Sequence, residues 1–146
     1  MRAPYQVLII PYKRENDSYK FAIFKRADMD CYQWIAGGGE DFDLDILTTA
    51  KRECFEEAGL SDNSDYMQLD TTSPIPVHIF NDYPWGPDVL VIPEYSFGVH
   101  IGDQDIQLSH EHKSFEWVSY DQAMERLTYD SNKTALWELV VRLNRE

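Results

Sequence analysis

The stretch Arg52-Glu53-Cys54-Phe55-Glu56-Glu57-Ala58-Gly59-Leu60 limits what this chain can be more than any other segment. Side chains three and four positions apart share one helix surface, so Glu53, Glu56 and Glu57 form a single carboxylate strip if the segment is helical. Left alone, such a strip repels itself. A hard divalent cation such as Mg²⁺ or Mn²⁺ reverses that penalty, because oxygen ligands are what it prefers. Asp45 is placed to cap the helix, and Ile46, Leu47, Ala50, Cys54 and Ala58 recur at the spacing of a buried side. Gly59 is a natural stop, with Leu60 able to fold back on the last turn. Before the helix, Gly37-Gly38-Gly39 permits unusual backbone angles and the close approach of a ligand.

From Gly38 to Leu60 the pattern resembles the Nudix box, G-x5-E-x7-R-E-U-x-E-E-x-G-U, where U is a bulky aliphatic residue. Arg52, Glu53, Glu56, Glu57 and Gly59 all match. A match to five fixed residues arises by chance on the order of once in a million start positions. Two positions depart: Leu44 stands where the first glutamate is expected, and Cys54 replaces an aliphatic residue. The resemblance implies an α/β/α sandwich around a mixed sheet, one domain over residues 1–146, and hydrolysis of a nucleoside diphosphate linked to another group. It also implies Mg²⁺ or Mn²⁺ held by Glu53, Glu56 and Glu57, with Arg52 orienting one glutamate rather than touching substrate. That chemistry asks a protein to hold a polyanion, neutralise shifting charge and aim a water in line, which carboxylates do through metal ions.

Further along, Glu111-His112, Trp117 and Asp130-Ser131-Asn132-Lys133 resemble the bacterial dATP and dihydroneopterin triphosphate pyrophosphohydrolase branch of that family. This implies Glu111 as a further metal ligand or the general base, with His110 and His112 as loop hydrogen-bonders rather than ligands. The expected reaction is therefore hydrolysis of a phosphoric anhydride bond in a nucleoside or pterin triphosphate, or in another nucleoside diphosphate derivative. Leu44 keeps a second reading open, a catalytically silent Nudix domain that binds or senses a nucleotide; Asp41, Asp43 or Asp45 could substitute for the lost glutamate. A third reading, an acidic protein-interaction domain, predicts no metal-dependent nucleotide binding.

Substrate contacts are less legible. Gly37, Gly38 and Gly39 are candidates for close approach, and Tyr32, Trp34, Tyr83, Trp85 and Phe97 for stacking on a base, though aromatics more often belong to a core. Lys25, Arg26 and Lys51 could meet phosphates. A net charge of -13 argues against general nucleic-acid binding, which needs clustered Lys and Arg. The apolar run at residues 7–10 is too short for a signal-peptide core or a membrane span, so a reducing cytoplasm is the expected setting. Nudix relatives often form dimers, so a homodimer is an allowed assembly, although no segment reads as a dimer seam.

Strands are expected at residues 5–11, 19–25, 33–35, 67–73, 95–101 and 114–118, from their β-branched and aromatic content. The polar residues 13–18 read as a turn and the proline- and aromatic-rich residues 74–93 as a long irregular loop. Helices are expected at residues 119–127 and 131–144, the second with Ala135, Leu136, Leu139, Val140 and Leu143 inward.

Overall fold

A computed structural model describes residues 1–80 and 83–146 of the chain. Its centre is a seven-stranded mixed sheet of β1 (Arg2–Glu15), β2 (Ser18–Arg26), β3 (Tyr32–Gln33), β4 (Ile35–Glu40), β5 (Asp65–Pro76), β6 (Val91–His100) and β7 (His112–Val118). The main path runs β3-β2-β1-β6-β5, with β4 paired to β1 and β7 to β2. The long strand β1 (Arg2–Glu15) organises it. Its residues alternate between faces, so Leu8, Ile10 and Tyr12 enter one core while Val7 and Ile9 enter the other. Helix α1 (Ile46–Ala58) covers the Val7 face through Ala50, Cys54 and Ala58. Helices α2 (Tyr120–Arg126) and α3 (Asp130–Asn144) cover the other, through Ala123 and through Ala135, Leu136, Leu139 and Leu143. The expected α/β/α sandwich is what forms. Each fully buried large aliphatic or aromatic side chain contributes about 1.5–3 kcal/mol, so the two cores together hold the sheet between its helices.

Three expectations change. β1 and β2 (Ser18–Arg26) run on through the residues expected as a turn, with Lys13 opposite Lys20 and Glu15 opposite Ser18. The connection shrinks to Asn16 and Asp17, at φ 52° and 66°, a two-residue reversal that suits the strand twist and that Asn and Asp tolerate. After the two-residue strand β3 (Tyr32–Gln33), the glycine triplet belongs to β4 (Ile35–Glu40), where Gly37 pairs Val7 and Gly38 pairs Gln6. None of the three has a positive φ. They are needed for close approach: a Cβ at Gly37 would fall on the Glu53 carboxylate.

The expected loop at residues 74–93 is largely strand. β5 (Asp65–Pro76) and β6 (Val91–His100) pair as far as Pro76 opposite Val91. β5 lies at the sheet edge, where a proline without an N–H removes no inward ladder bond. A 3-10 turn, Val77–Ile79, follows, and residues 81 and 82 of that loop lie outside the described residues. β7 (His112–Val118) pairs β2 antiparallel.

Helix α1 starts and stops as expected. Asp45 Oδ1 accepts from the Thr48 backbone N–H at 2.8 Å, and Gly59 takes a left-handed φ of 69°. Its buried row differs in composition: Leu47 is exposed, whereas Thr49, Glu53 and Glu57 are buried. The carboxylates at 53 and 57 therefore turn inward together, one helical turn apart, while Glu56 faces out.

Candidate active site

Arg52 is the hub of the acidic helix. Its Nη2 donates to Asp43 Oδ2 at 2.9 Å and to the Gly38 carbonyl at 3.0 Å, and its Nε donates to Asp43 Oδ1 at 3.3 Å. Its Nη1 donates to Glu53 Oε1 at 3.0 Å and more distantly to Glu56 Oε2 at 3.4 Å. The guanidinium fork thus ties the loop before α1 to two of its glutamates. Asp43 also accepts from Thr49 Oγ1 at 2.7 Å and from the Glu40 backbone N–H at 3.0 Å. Burial alone would raise Asp43, but the hydrogen bonds from Arg52 and Thr49 pull it down to about 2. Leu44, next in sequence, is 92% exposed and takes no part. Of the three aspartates that could substitute for the missing glutamate, Asp43 is the one the fold brings to Arg52.

The buried carboxylates are under electrostatic stress. Burial and the neighbouring Glu56 push Glu53 up to about 7, with Arg52 opposing the rise. Burial and the facing Glu111 push Glu57 up to about 10. Glu111 comes from the loop ahead of β7, which is pinned to the end of α1 where Gln107 and Ser109 donate backbone N–H groups to the Ala58 and Glu57 carbonyls at 2.9 and 3.2 Å. Glu111 is exposed, and its hydrogen bond with Glu57 holds it low. Two carboxylates in hydrogen-bond reach cannot both ionise cheaply without a cation. Among the described residues, Glu57 Oε2 is buried with no hydrogen-bond partner. An acidic, oxygen-only donor set with an orphaned buried oxygen fits a hard divalent ion. Among the described residues, no three acidic, histidine or cysteine side chains are already gathered to hold one. The long Glu56–Arg52 contact is the one most easily released for that purpose.

Glu57 and Glu111 border a cavity of about 940 Å³ whose walls include Leu8 and Ala36 of the sheet, Arg26 and Gln33, and Asp130 to Asn132 at the start of α3. His112 is buried there, its Nε2 lying 3.4 Å from Gln33 Nε2, and burial lowers its pKa. Arg26 faces the cavity as a phosphate candidate would, although it forms a two-bond pair with Asp28 at 2.6 and 2.7 Å. Lys25 is paired with Asp30, and Lys51 lies over the Tyr66 ring; neither borders the cavity.

The stacking candidates fare poorly. Trp34 is wholly buried, with its Nε1 donating to the Asn132 carbonyl at 3.0 Å, and Phe97 is core as well. Neither can meet a ring unless the core opens. Tyr32 packs against the α3-side core beneath Lys25, and neither it nor Gly37, Gly38 or Gly39 borders the cavity. Trp85 instead donates its Nε1 to the Arg2 carbonyl at 2.9 Å, and Tyr83 is exposed. Sequence reading missed Gln6 and Glu94, which do border the cavity. Their signal was a polar residue at a core-facing position of an apolar strand.

A fold with this acidic helix, arginine hub and cavity belongs to a known class. The NUDIX domain family model matches residues 4–137, and the chain belongs to the Nudix family, as a hydrolase of pyrophosphate bonds in nucleotide derivatives. Among similar structures is one from Listeria monocytogenes assigned to the Nudix hydrolases, with 41% identity, a TM-score of 0.89, and coverage of 98% of this chain and 96% of that one. The chain is also similar to the dihydroneopterin triphosphate diphosphatase of Haemophilus influenzae, at 28% identity over 143 residues, 95% of this chain and 89% of that protein. The fold is shared with the dihydroneopterin triphosphate pyrophosphohydrolase of E. coli, at a TM-score of 0.78, 21% identity and 97% coverage of each chain.

Proposed function

We propose that this protein hydrolyses the triphosphate of a small substrate, a pterin triphosphate or a nucleoside triphosphate such as dATP, releasing pyrophosphate, with Mg²⁺ or Mn²⁺. The observation that carries this reading is the buried Glu57 facing Glu111 at the rim of the cavity, with one oxygen unpartnered among the described residues. The similarity to the Haemophilus influenzae diphosphatase supports a pterin triphosphate.

Glu53, Glu56 and Glu57 would hold the metal, with Glu111 as a further ligand or as the general base. When bound, a divalent cation neutralises phosphate charge and makes a water acidic enough to attack near neutral pH. The protein's own part is positioning. Arg52 fixes Glu53, and Asp43 fixes Arg52 from the far side, so the ligand strip is aimed before substrate arrives. In the second role Glu111, exposed beside the cavity, can take a proton from the attacking water. The cavity beside it has room for a pterin or a nucleoside. Two buried, unpaired cysteines suit a reducing compartment such as the cytoplasm.

Substitution tests these roles. Glu56→Gln and Glu57→Gln should each lose most turnover with circular dichroism unchanged; full kcat in either variant would remove that carboxylate from the metal site. A Glu111→Gln variant whose pH–rate profile matched the wild type would rule Glu111 out as base.

A further inference from the structure

One cavity wall carries a buried carboxylate that the hydrolytic chemistry does not use. Glu94 on β6 stands in register with Gln6 on β1, and both border the cavity. Glu94 is 5% exposed, and among the described residues no basic group pairs with it. Gln6 Nε2 donates to Glu94 Oε2 at 3.0 Å, and Arg2 Nη2 donates to Gln6 Oε1 at 2.9 Å. A guanidinium has no acceptor, so it commits the Gln6 oxygen to itself and turns the amide N–H groups toward Glu94. Arg2 is held in turn over the Phe80 ring at 4.3 Å and near the Trp85 ring at 5.8 Å. An aromatic clamp, an arginine and an amide thus aim one carboxylate.

Such a group is expensive to bury unless something completes its hydrogen bonds. Gln6 satisfies Oε2. Among the described residues nothing donates to Oε1, and burial pushes Glu94 up to about 7. A purely structural carboxylate would have its donors within the protein; this one borders open space. Ile75, Ile79 and Phe80 line the same region and offer apolar surface to a flat ring.

We propose that Glu94, positioned by Gln6 and Arg2, reads the ring of the ligand by accepting two adjacent N–H donors from a 2-amino-4-oxopyrimidine edge, which pterins and guanine share. This rests on the pterin part of the proposed function, deepens it by naming the ring chemistry, and sets dATP aside as the preferred substrate. A carboxylate presents two parallel acceptors, and each oxygen can take a second bond beside that from Gln6. The 2-amino-4-oxopyrimidine edge presents a ring N–H next to an amino group and matches them. Adenine and cytosine place a bare ring nitrogen next to their amino group, so an ionised carboxylate would meet a lone pair there. Uracil and thymine offer one N–H flanked by two carbonyls. Selection then follows from the donor the wrong ring lacks, since buried polar groups left unpaired discriminate strongly.

The test is equilibrium binding at pH 8.5, where Glu94 is ionised, of phosphate-free neopterin, guanosine and adenosine to the metal-free protein, by calorimetry or ligand fluorescence, for wild type, Glu94→Gln and Glu94→Asp. Wild type should favour neopterin and guanosine over adenosine by at least tenfold, and the first two arms tell which ring fits better. Glu94→Gln offers one donor beside one acceptor, which suits adenine, so the preference should collapse by tenfold or more. Glu94→Asp keeps the acceptors and should keep the sign of the preference with weaker binding, even if the amide variant fails to fold. Gln6→Ala should weaken ring preference without abolishing it. A wild type without preference, or a Glu94→Gln variant with the wild-type ratio, would overturn the assignment. Ring preference without hydrolysis of any triphosphate would sink the proposed reaction and leave this inference standing. Hydrolysis indifferent to the ring would do the reverse.

Discussion

Glu57→Gln should stabilise the metal-free protein while disabling it. Glu57 is 4% exposed and pushed up to about 10 by burial and by Glu111, against 4.5 for an ordinary glutamate. Between those values the folded protein keeps a proton that the unfolded chain gives up. The stability due to that proton is fully present below about 4.5 and is lost as pH rises toward about 10. At pH 7.5 the gap of about three units corresponds to roughly 4 kcal/mol at 1.36 kcal/mol per unit. Glu111 is open to water, which screens the pair, so about 2 kcal/mol is the working figure. A glutamine keeps the shape, carries no titrating proton and lacks this slope. At roughly 3 °C per kcal/mol for a chain of this length, Tm should rise by about 6 °C at pH 7.5 and hardly at all at pH 5. The assay is thermal unfolding of both proteins in a chelator at the two pH values. Equal Tm differences at both, or a variant less stable than wild type at pH 7.5, would contradict the electrostatic reasoning. A gain in stability with a loss of activity is what a strained functional carboxylate predicts.

Asp43→Asn should cost about 2 kcal/mol at pH 7, because it removes the charge that Arg52 and Thr49 hold. Asp43 is depressed from 3.8 to about 2, so its stabilisation is present above pH 4 and disappears as pH falls through 2; urea titrations at pH 7 and pH 3 should show the variant's deficit shrinking. Leu44→Glu should change kcat/KM by less than twofold, since Leu44 points to solvent and Asp43 already occupies Arg52. A large gain in hydrolysis would mean that the natural chain is impaired at that position. Binding of Mn²⁺ should strengthen from pH 6 to pH 8, because Glu57 must release its proton; calorimetry in buffers of different ionisation enthalpy counts it, and no proton release would count against Glu57 as a ligand.

Local signals explain what was legible in the sequence. Helix α1 has an Asp cap, a glycine stop and a regular apolar row, all short-range features, and the structure places its ends where those residues sit. The strands were expected too short, because polar Lys13 to Glu15 and three prolines read as loop although pairing with a neighbour carries them. Such pairing joins residues far apart in sequence, and a local window cannot see it. The site divides in the same way. The sequence singles out Glu53, Glu56, Glu57 and Glu111 as candidates one by one, but that Glu57 faces Glu111, and that Arg52 meets Asp43 rather than residue 44, depends on how the loops turn. Gln6 and Glu94 are 88 positions apart and meet only through the parallel pairing of β1 with β6. Trp34 was misjudged for a related reason: an aromatic beside a glycine-rich segment looks the same in sequence whether it faces a ligand or the core, and here it faces the core.

The most direct measurement is product release by the wild-type protein from dihydroneopterin triphosphate, dATP, GTP, ADP-ribose and a dinucleoside polyphosphate, each with Mg²⁺, with Mn²⁺ and with a chelator. The expected result is metal-dependent release of pyrophosphate from a triphosphate, fastest with dihydroneopterin triphosphate and silent under chelation. Turnover that persists in the chelator, or none from any triphosphate while Mn²⁺ still binds, would contradict the proposed reaction.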